Sequence, residues 1–141
     1  IQERLCVITD ASRISNKVNQ ICSELESFFV NSAVDSHVYF TCAENLDDSF
    51  GIHWDTSHNL IIQIEGQTEF KAWDEWSARN RNVTSLPSEP IINTILNPGD
   101  AVFVPKQYYH SAFSKSKRMS ISFPINFEQN ANSQDRHWIK I

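Results

Sequence analysis

Pro98-Gly99-Asp100-Ala101-Val102-Phe103-Val104-Pro105-Lys106-Gln107-Tyr108-Tyr109-His110 holds a turn, an apolar strand, a proline-defined bend and a terminal histidine. The Pro-Gly-Asp turn starts a strand, Ala101 to Val104 carry it across the domain, and the bend at Pro105 reverses the chain so that His110 enters the next strand. Working outward, Gly51-Ile52-His53-Trp54-Asp55 supplies possible partners. Residues two apart on a strand share a face, so the imidazole of His53 and the carboxylate of Asp55 can converge on one ion while Trp54 points away. Alone, that pair reads first as a hydrogen-bonded His-Asp couple on a surface strand. With His110 brought beside it, two histidines and one carboxylate leave three octahedral positions open, the ligand set typical of non-haem Fe(II) oxygenases.

The rest of the chain supplies the frame. Ile14, Val18, Ile21, Cys22, Leu25, Phe28 and Phe29 recur at helical spacing, which predicts one amphipathic helix over about residues 12–30 that packs across a sheet. A short strand over residues 5–8 precedes it. After Asn31 the pattern turns to short β-rich runs at residues 37–42, 52–55, 59–65, 68–73, 91–96, 101–104, 110–114 and 119–125, separated by turn residues. Residues 74–90 read as a loop with a helical turn near 74–79. Antiparallel strands in this number predict a mainly β jelly roll or small barrel over about residues 36–126, with the helix N-terminal to it.

With 141 residues, 40% hydrophobic and 11% aromatic, the chain fits one packed domain over 1–141. A formal charge of −5 argues against a nucleic-acid surface, and Lys115, Lys117 and Arg118 read as a solvated hairpin tip. No apolar run approaches the roughly 20 residues that span a bilayer, and the N-terminus lacks a signal-peptide layout, so no membrane partner and a cytoplasmic location are expected. Cys6, Cys22 and Cys42 show no pairing motif and read as small core residues. The sequon Asn82-Val83-Thr84 is discounted, because such tripeptides arise often by chance.

The segments 50–73 and 97–123, with Gln63-Ile64-Glu65-Gly66 as a Gln-x-x-Gly turn, resemble the JmjC and cupin-like Fe(II)/2-oxoglutarate oxygenases, a family that includes bacterial ribosomal oxygenases and the asparaginyl hydroxylase of hypoxia signalling. The resemblance implies a double-stranded β-helix (cupin) barrel and Fe(II) held by His53, Asp55 and His110. It implies 2-oxoglutarate as co-substrate, touched by Asn59 and closed in by the strand containing Ser120, and hydroxylation of a protein side chain or small molecule. One departure stands out. The cation that holds the co-substrate carboxylate lies two residues past the turn glycine in that family, and here Thr68 occupies the place. By strand parity Lys71 faces the other way unless a bulge shifts the register; Arg118, just before the last strand, is another candidate, and otherwise 2-oxoglutarate is bound weakly or is not the co-substrate.

Three readings follow from the sequence. The first is a 2-oxoglutarate-dependent oxygenase. The second is a metal-dependent cupin that binds its substrate without 2-oxoglutarate, which Thr68 favours, and the third is a non-catalytic binding module. Among the remaining residues, His58 is expected at the surface or behind the ligands, and Thr41 on the solvent face. Of Tyr108 and Tyr109, beside His110, one is expected in the core, and the entrance is a candidate place for the other. Trp73 and Trp76 read as core or loop packing, His37 and His137 have no assigned partners, and oligomeric state is open.

Overall fold

A computed structural model describes residues 5–41, 50–75 and 80–127. Strand β1 (Cys6–Thr9) leads through a 3-10 turn (Ala11–Arg13) into α1 (Asn16–Phe28). There follow β2 (Ser32–Val34), β3 (His37–Thr41), β4 (Ile52–His53), β5 (His58–Glu65), β6 (Thr68–Trp73), β7 (Asn82–Val83), β8 (Ile92–Leu96), β9 (Ala101–Val104), β10 (Tyr109–Ser114) and β11 (Arg118–Phe127). The helix is shorter than its apolar period predicts. Asp10 adopts a left-handed conformation (φ 53°), and extended Ser15 caps the helix by accepting from the Val18 amide at 3.4 Å. Its last turn closes at Phe28.

Two antiparallel sheets face each other. One runs β1-β3-β11-β5-β9, with β2 also paired to β11, and the other runs β7-β4-β10-β6-β8. Their register decides which side chains enter the space between them. On β5, Asn59, Ile61 and Gln63 line the inner cavity while Leu60 and Ile62 pack outward against α1. On β11, Arg118, Ser120 and Ser122 line the cavity while Ile121 and Phe123 lie under the helix with Cys22, Val18, Ile21 and Leu25. The helix therefore covers the outside of the two central strands, and each large side chain buried there contributes about 1.5–3 kcal/mol. A second core of Phe70, Ala72, Leu96 and Val104 fills one part of the interior.

The mainly β double-layered fold agrees with the sequence reading, and the differences are local. β2 and β7 carry three and two residues, too few to show a period of their own. Cys6 is exposed, not a core residue, because β1 is an edge strand, whereas Cys22 is buried under the helix. Thr41 is buried, not solvent-facing, since it pairs with Arg118 across β3 and β11. Cys42, Trp76, His137 and most of the helical turn expected at 74–79 lie outside the described residues. Among the described residues no helix is long and apolar enough to cross a membrane.

Gly66 closes the β5–β6 turn at φ +69°, and a Cβ there would fall 1.8 Å from the Lys117 carbonyl oxygen of the adjacent turn. Gly66→Ala is expected to cost more than about 2 kcal/mol, from left-handed strain plus displacement of that backbone. Urea midpoints of the two proteins measure it.

Candidate metal centre

His53 and His110 are directly paired residues of β4 and β10, so their rings meet on one face with centroids 4.4 Å apart. β4 ends at His53, and Asp55 reaches the site from just beyond the strand. Its backbone carbonyl accepts from the Gln107 amide at 2.8 Å, within the bend that begins at Pro105. That bend puts Gln107 at φ 68° and closes with the Tyr108 amide on the Pro105 carbonyl. The reversal that delivers His110 is thus fastened to the residue before which it must stop. Metal-binding atoms of His53, Asp55 and His110 lie within 4.8 Å of one another.

Backbone carbonyls set the chemistry of the two imidazoles. Nδ1 of His53 lies 3.1 Å from the Gly51 carbonyl, and Nδ1 of His110 lies 3.1 Å from the Tyr108 carbonyl. A carbonyl only accepts, so each Nδ1 carries the proton and each Nε2 keeps its lone pair for a ligand. Burial pushes His110 below the ordinary histidine range, and the neighbouring His53 pushes it the same way. The Tyr108 carbonyl and Asp55 act in the opposite direction. Two neutral nitrogen donors and one carboxylate at chelating separation fit a divalent transition metal.

Asp55 is held at both oxygens. Oδ2, which lies 3.6 Å from His110 Nε2, accepts from Asn59 Nδ2 at 2.8 Å, and Oδ1 pairs with Arg81 Nη2 at 3.1 Å. The oxygen of the Asn59 amide accepts from Ser122 Oγ at 3.1 Å. Asn59 therefore supports the carboxylate ligand from within the cavity, with its amide orientation fixed from both ends. Phe50 packs edge-on to His53 at 5.9 Å, and Phe70 stacks on His110 at 6.2 Å.

The far end of the cavity is cationic. Arg118 is 6% exposed, so the reading of it as part of a solvated tip is corrected: β11 begins at this residue and turns its side chain inward. Its Nε donates to Ser114 Oγ at 2.8 Å and its Nη1 to Thr68 Oγ1 at 2.9 Å. Thr68 donates in turn to Gln63 Oε1 at 2.9 Å, and the Gln63 amide donates to the carbonyls of Glu65 and Gly66. Among the described residues no carboxylate lies within ion-pair distance of this guanidinium. Burial lowers its hold on its proton, yet a guanidinium stays charged throughout the physiological range. Tyr39 also lines the cavity, where burial and the Asp55 charge raise its hydroxyl while Arg118 acts against them.

Other expected positions sort clearly. Ser120 is buried on the cavity wall between Arg118 and Ser122. Lys71 faces away on regularly paired β6 and is bound to Glu69 at 2.9 Å, and the register shift that does occur lies between β5 and β11. His58 stacks on Phe103 and accepts from the Lys106 amide, away from the ligands. His37 pairs with Asp35 at 3.6 Å. Tyr109 is buried with its hydroxyl on the Asn80 carbonyl, Tyr108 packs beside Phe70, and Trp73 is buried with its indole on the Ser88 carbonyl. Sequence reasoning missed Arg81 and Ser114. Arg81 lies in a segment without period, and Ser114 is one serine among many, so no local signal marks either.

Comparison with known proteins supports the fold. The family model described as JmjC domain matches residues 8–133. Over 119 residues the chain is 26% identical to the bifunctional lysine-specific demethylase and histidyl-hydroxylase NO66 of Drosophila persimilis, covering 80% of this chain and 17% of that protein. The ribosomal oxygenase YcfD of Escherichia coli, solved in complex with cobalt and 2-oxoglutarate, superposes with a TM-score of 0.73 at 17% identity, over 90% of this chain and 33% of that one. The chain thus spans a third or less of the length of these relatives.

Metal binding requires neutral imidazoles, so protons compete with it. His110 binds a proton less readily when folded than when unfolded, so its contribution to the stability of the metal-free protein is full above the unfolded value of about 6.5. It is lost as pH falls below that toward the lowered folded value. Thermal melts between about pH 7 and pH 5 should show stability falling with pH, with a shallower slope in His110→Gln. At neutral pH, wild type is expected to bind one Co(II) per chain, and His53→Ala to weaken it at least about 100-fold by removing a ligand, as read by titration of the cobalt absorption.

Proposed function

We propose that this chain, which belongs to the JmjC domain family, is the catalytic barrel of an Fe(II)- and 2-oxoglutarate-dependent oxygenase that hydroxylates a side chain of a protein substrate. The observation that carries the reading is the pairing of two chemically opposite ends in one cavity. His53, Asp55 and His110 form a metal-ligand set at one end, and the buried guanidinium of Arg118 has no carboxylate partner among the described residues at the other. A buried charge without its counter-charge is costly, so the site calls for an anion. A dicarboxylate that reaches the metal with its 2-oxo acid end and Arg118 with its distal carboxylate meets both demands.

In this reading His53, Asp55 and His110 would hold Fe(II), each imidazole offering its Nε2 lone pair and Asp55 its carboxylate. Iron and 2-oxoglutarate together supply the oxidising power that takes an oxygen atom from O2 into an unactivated C–H bond. The chain's own residues do the rest. Arg118 takes the distal carboxylate in a charge-assisted bond, and Thr68, the residue that departs from the family pattern, becomes its support by accepting from Nη1 and donating to Gln63. Asn59 keeps Asp55 in place, Ser120 lines the channel between the two ends, and Phe50 and Phe70 flank the histidine pair with apolar surface. The protein substrate class is drawn from the relatives, which are named as a histidyl-hydroxylase and a ribosomal oxygenase. The cytoplasm, where buried Cys22 stays a thiol, is the compartment we assign.

The two other readings lose their main support. A cupin that works without 2-oxoglutarate was favoured by the missing cation at position 68, and Arg118 fills the same subsite from a different strand. A non-catalytic module is not favoured by a ligand triad sharing a cavity with a buried cation that has no carboxylate partner among the described residues.

Incubated with Fe(II), O2 and 2-oxoglutarate, wild type is expected to release succinate, and His53→Ala to release none. Arg118→Met should raise the 2-oxoglutarate concentration needed by about 100-fold or more, because it removes a buried charge-assisted contact. Thr68→Lys should also impair binding by placing two cations where one anion sits, while the double exchange Thr68→Lys with Arg118→Thr should recover much of the loss. Anaerobic titration followed by the visible absorption of the iron chelate measures each. No succinate above blank and no 2-oxoglutarate binding by wild type would sink the proposal.

A further inference from the structure

The long connection between β6 and β8 lays one short piece, residues 80–83, against the metal centre. The polar links that the described residues give it end on segments that carry ligands. Asn82 pairs with His53 and Val83 with Ile52, so the piece adds a strand beside the first ligand. The Trp54 amide donates to the Arg81 carbonyl at 3.2 Å. The Asn80 carbonyl accepts both the Trp54 indole N–H, at 3.2 Å, and the hydroxyl of Tyr109, the residue before His110. Arg81 completes the set, with Nη2 on Asp55 Oδ1 at 3.1 Å and Nε on the Trp54 carbonyl at 3.0 Å.

Asp55 shows what this arrangement does. Its Oδ2 faces His110 and is steadied by Asn59, whereas Oδ1 is turned toward Arg81. We propose that residues 80–83 are a clamp that organises the metal ligands, and that Arg81 is a positioning residue which holds Asp55 to a single metal-binding oxygen. Keeping Asp55 to one bond preserves the three open positions that a co-substrate and O2 require. The inference rests on the metal reading of the triad.

An exposed ion pair alone would carry little, and the Arg81 side chain is 58% exposed. The difference lies in the geometry. The planar guanidinium spends two donors on consecutive residues and lies 5.9 Å from the Trp54 ring centroid, so it fixes the orientation of the 54–55 peptide and carboxylate together. Its charge sits beyond Oδ1, where solvent screens its repulsion of a bound cation. Orientation of the ligand is then the larger effect, and residues that hydrogen-bond ligating carboxylates typically change metal affinity by about 10- to 100-fold.

The test uses the full chain with Co(II) as the probe, followed by cobalt absorption and by hydrogen exchange. Arg81→Ala is expected to weaken Co(II) binding by about 10- to 100-fold, and Arg81→Lys, which keeps the charge and one donor, to fall between it and wild type. Coupling between two sites is reciprocal, so Co(II) should raise protection of the Trp54 amide in wild type by a comparable factor and by far less in Arg81→Ala. Equal Co(II) affinity in wild type and Arg81→Ala overturns the clamp while leaving the metal reading intact, whereas wild type that binds no Co(II) overturns both. Were Arg81→Ala to fold poorly, wild-type exchange decides alone, since unchanged Trp54 protection on adding Co(II) also overturns the clamp.

Discussion

A β-strand that is buried on both faces must sort its residues by parity, and β11 is the strand on which this molecule depends. Ile121 and Phe123 face the helix while Arg118, Ser120 and Ser122 face the cavity. A slip of one residue would bring the guanidinium under α1 and a phenylalanine into the cavity. The apolar stripe of α1 selects the outer set, so the packing of the helix fixes which residues the cavity receives. β5 obeys the same rule in the opposite direction, offering Leu60 and Ile62 outward and Asn59 and Gln63 inward. Fold stability and site composition are therefore set by the same alternation.

The polar side of that alternation carries a cost for which the described residues hold no counter-charge. Arg118 satisfies two donors on Ser114 and Thr68, both neutral, and hydrogen bonds to hydroxyls do not neutralise a buried charge. Gln63 accounts for the rigidity of the arrangement. It accepts from Thr68 and donates to two turn carbonyls, so the Thr68 hydroxyl has only an acceptor lone pair left for Arg118. The Gln-x-x-Gly turn thus has a second role beyond reversing the chain, since its glutamine orients the hydroxyl on which the cation rests.

The metal triad was legible because its signal is distributed. His53 and Asp55 lie two apart, and the turn, strand and proline bend ahead of His110 state where that histidine must arrive. The expected reason was partly different, since β4 stops at His53 and Asp55 is held by Gln107 and Arg81 instead of by strand parity. Arg118 shows where sequence is ambiguous. The residues Lys115-Ser116-Lys117-Arg118 are a polar run, and only the register of β11 tells which of them leaves the tip and enters the barrel. Arg81 could not be read at all, because it precedes a two-residue strand inside a polar loop that has neither period nor turn chemistry, and its meaning lies wholly in its partner.

The inward row of β11 also orders the cavity from end to end. Arg118 sits at the cationic end, Ser120 follows, and Ser122 donates to the Asn59 amide that in turn donates to Asp55 at the metal end. Four residues of extended strand span roughly 13 Å. That length lies along a single strand, so the separation between the cation and the Ser122 hydroxyl that orders Asn59 is set by strand geometry. In the family this chain resembles, the cation falls at the place of Thr68, on β6, which pairs here with Ser114 of β10. Here Ser114 Oγ, at the end of β10, ties Arg118 back to the strand that bears His110, so moving the cation to β11 leaves it bound to the element that delivers the last ligand.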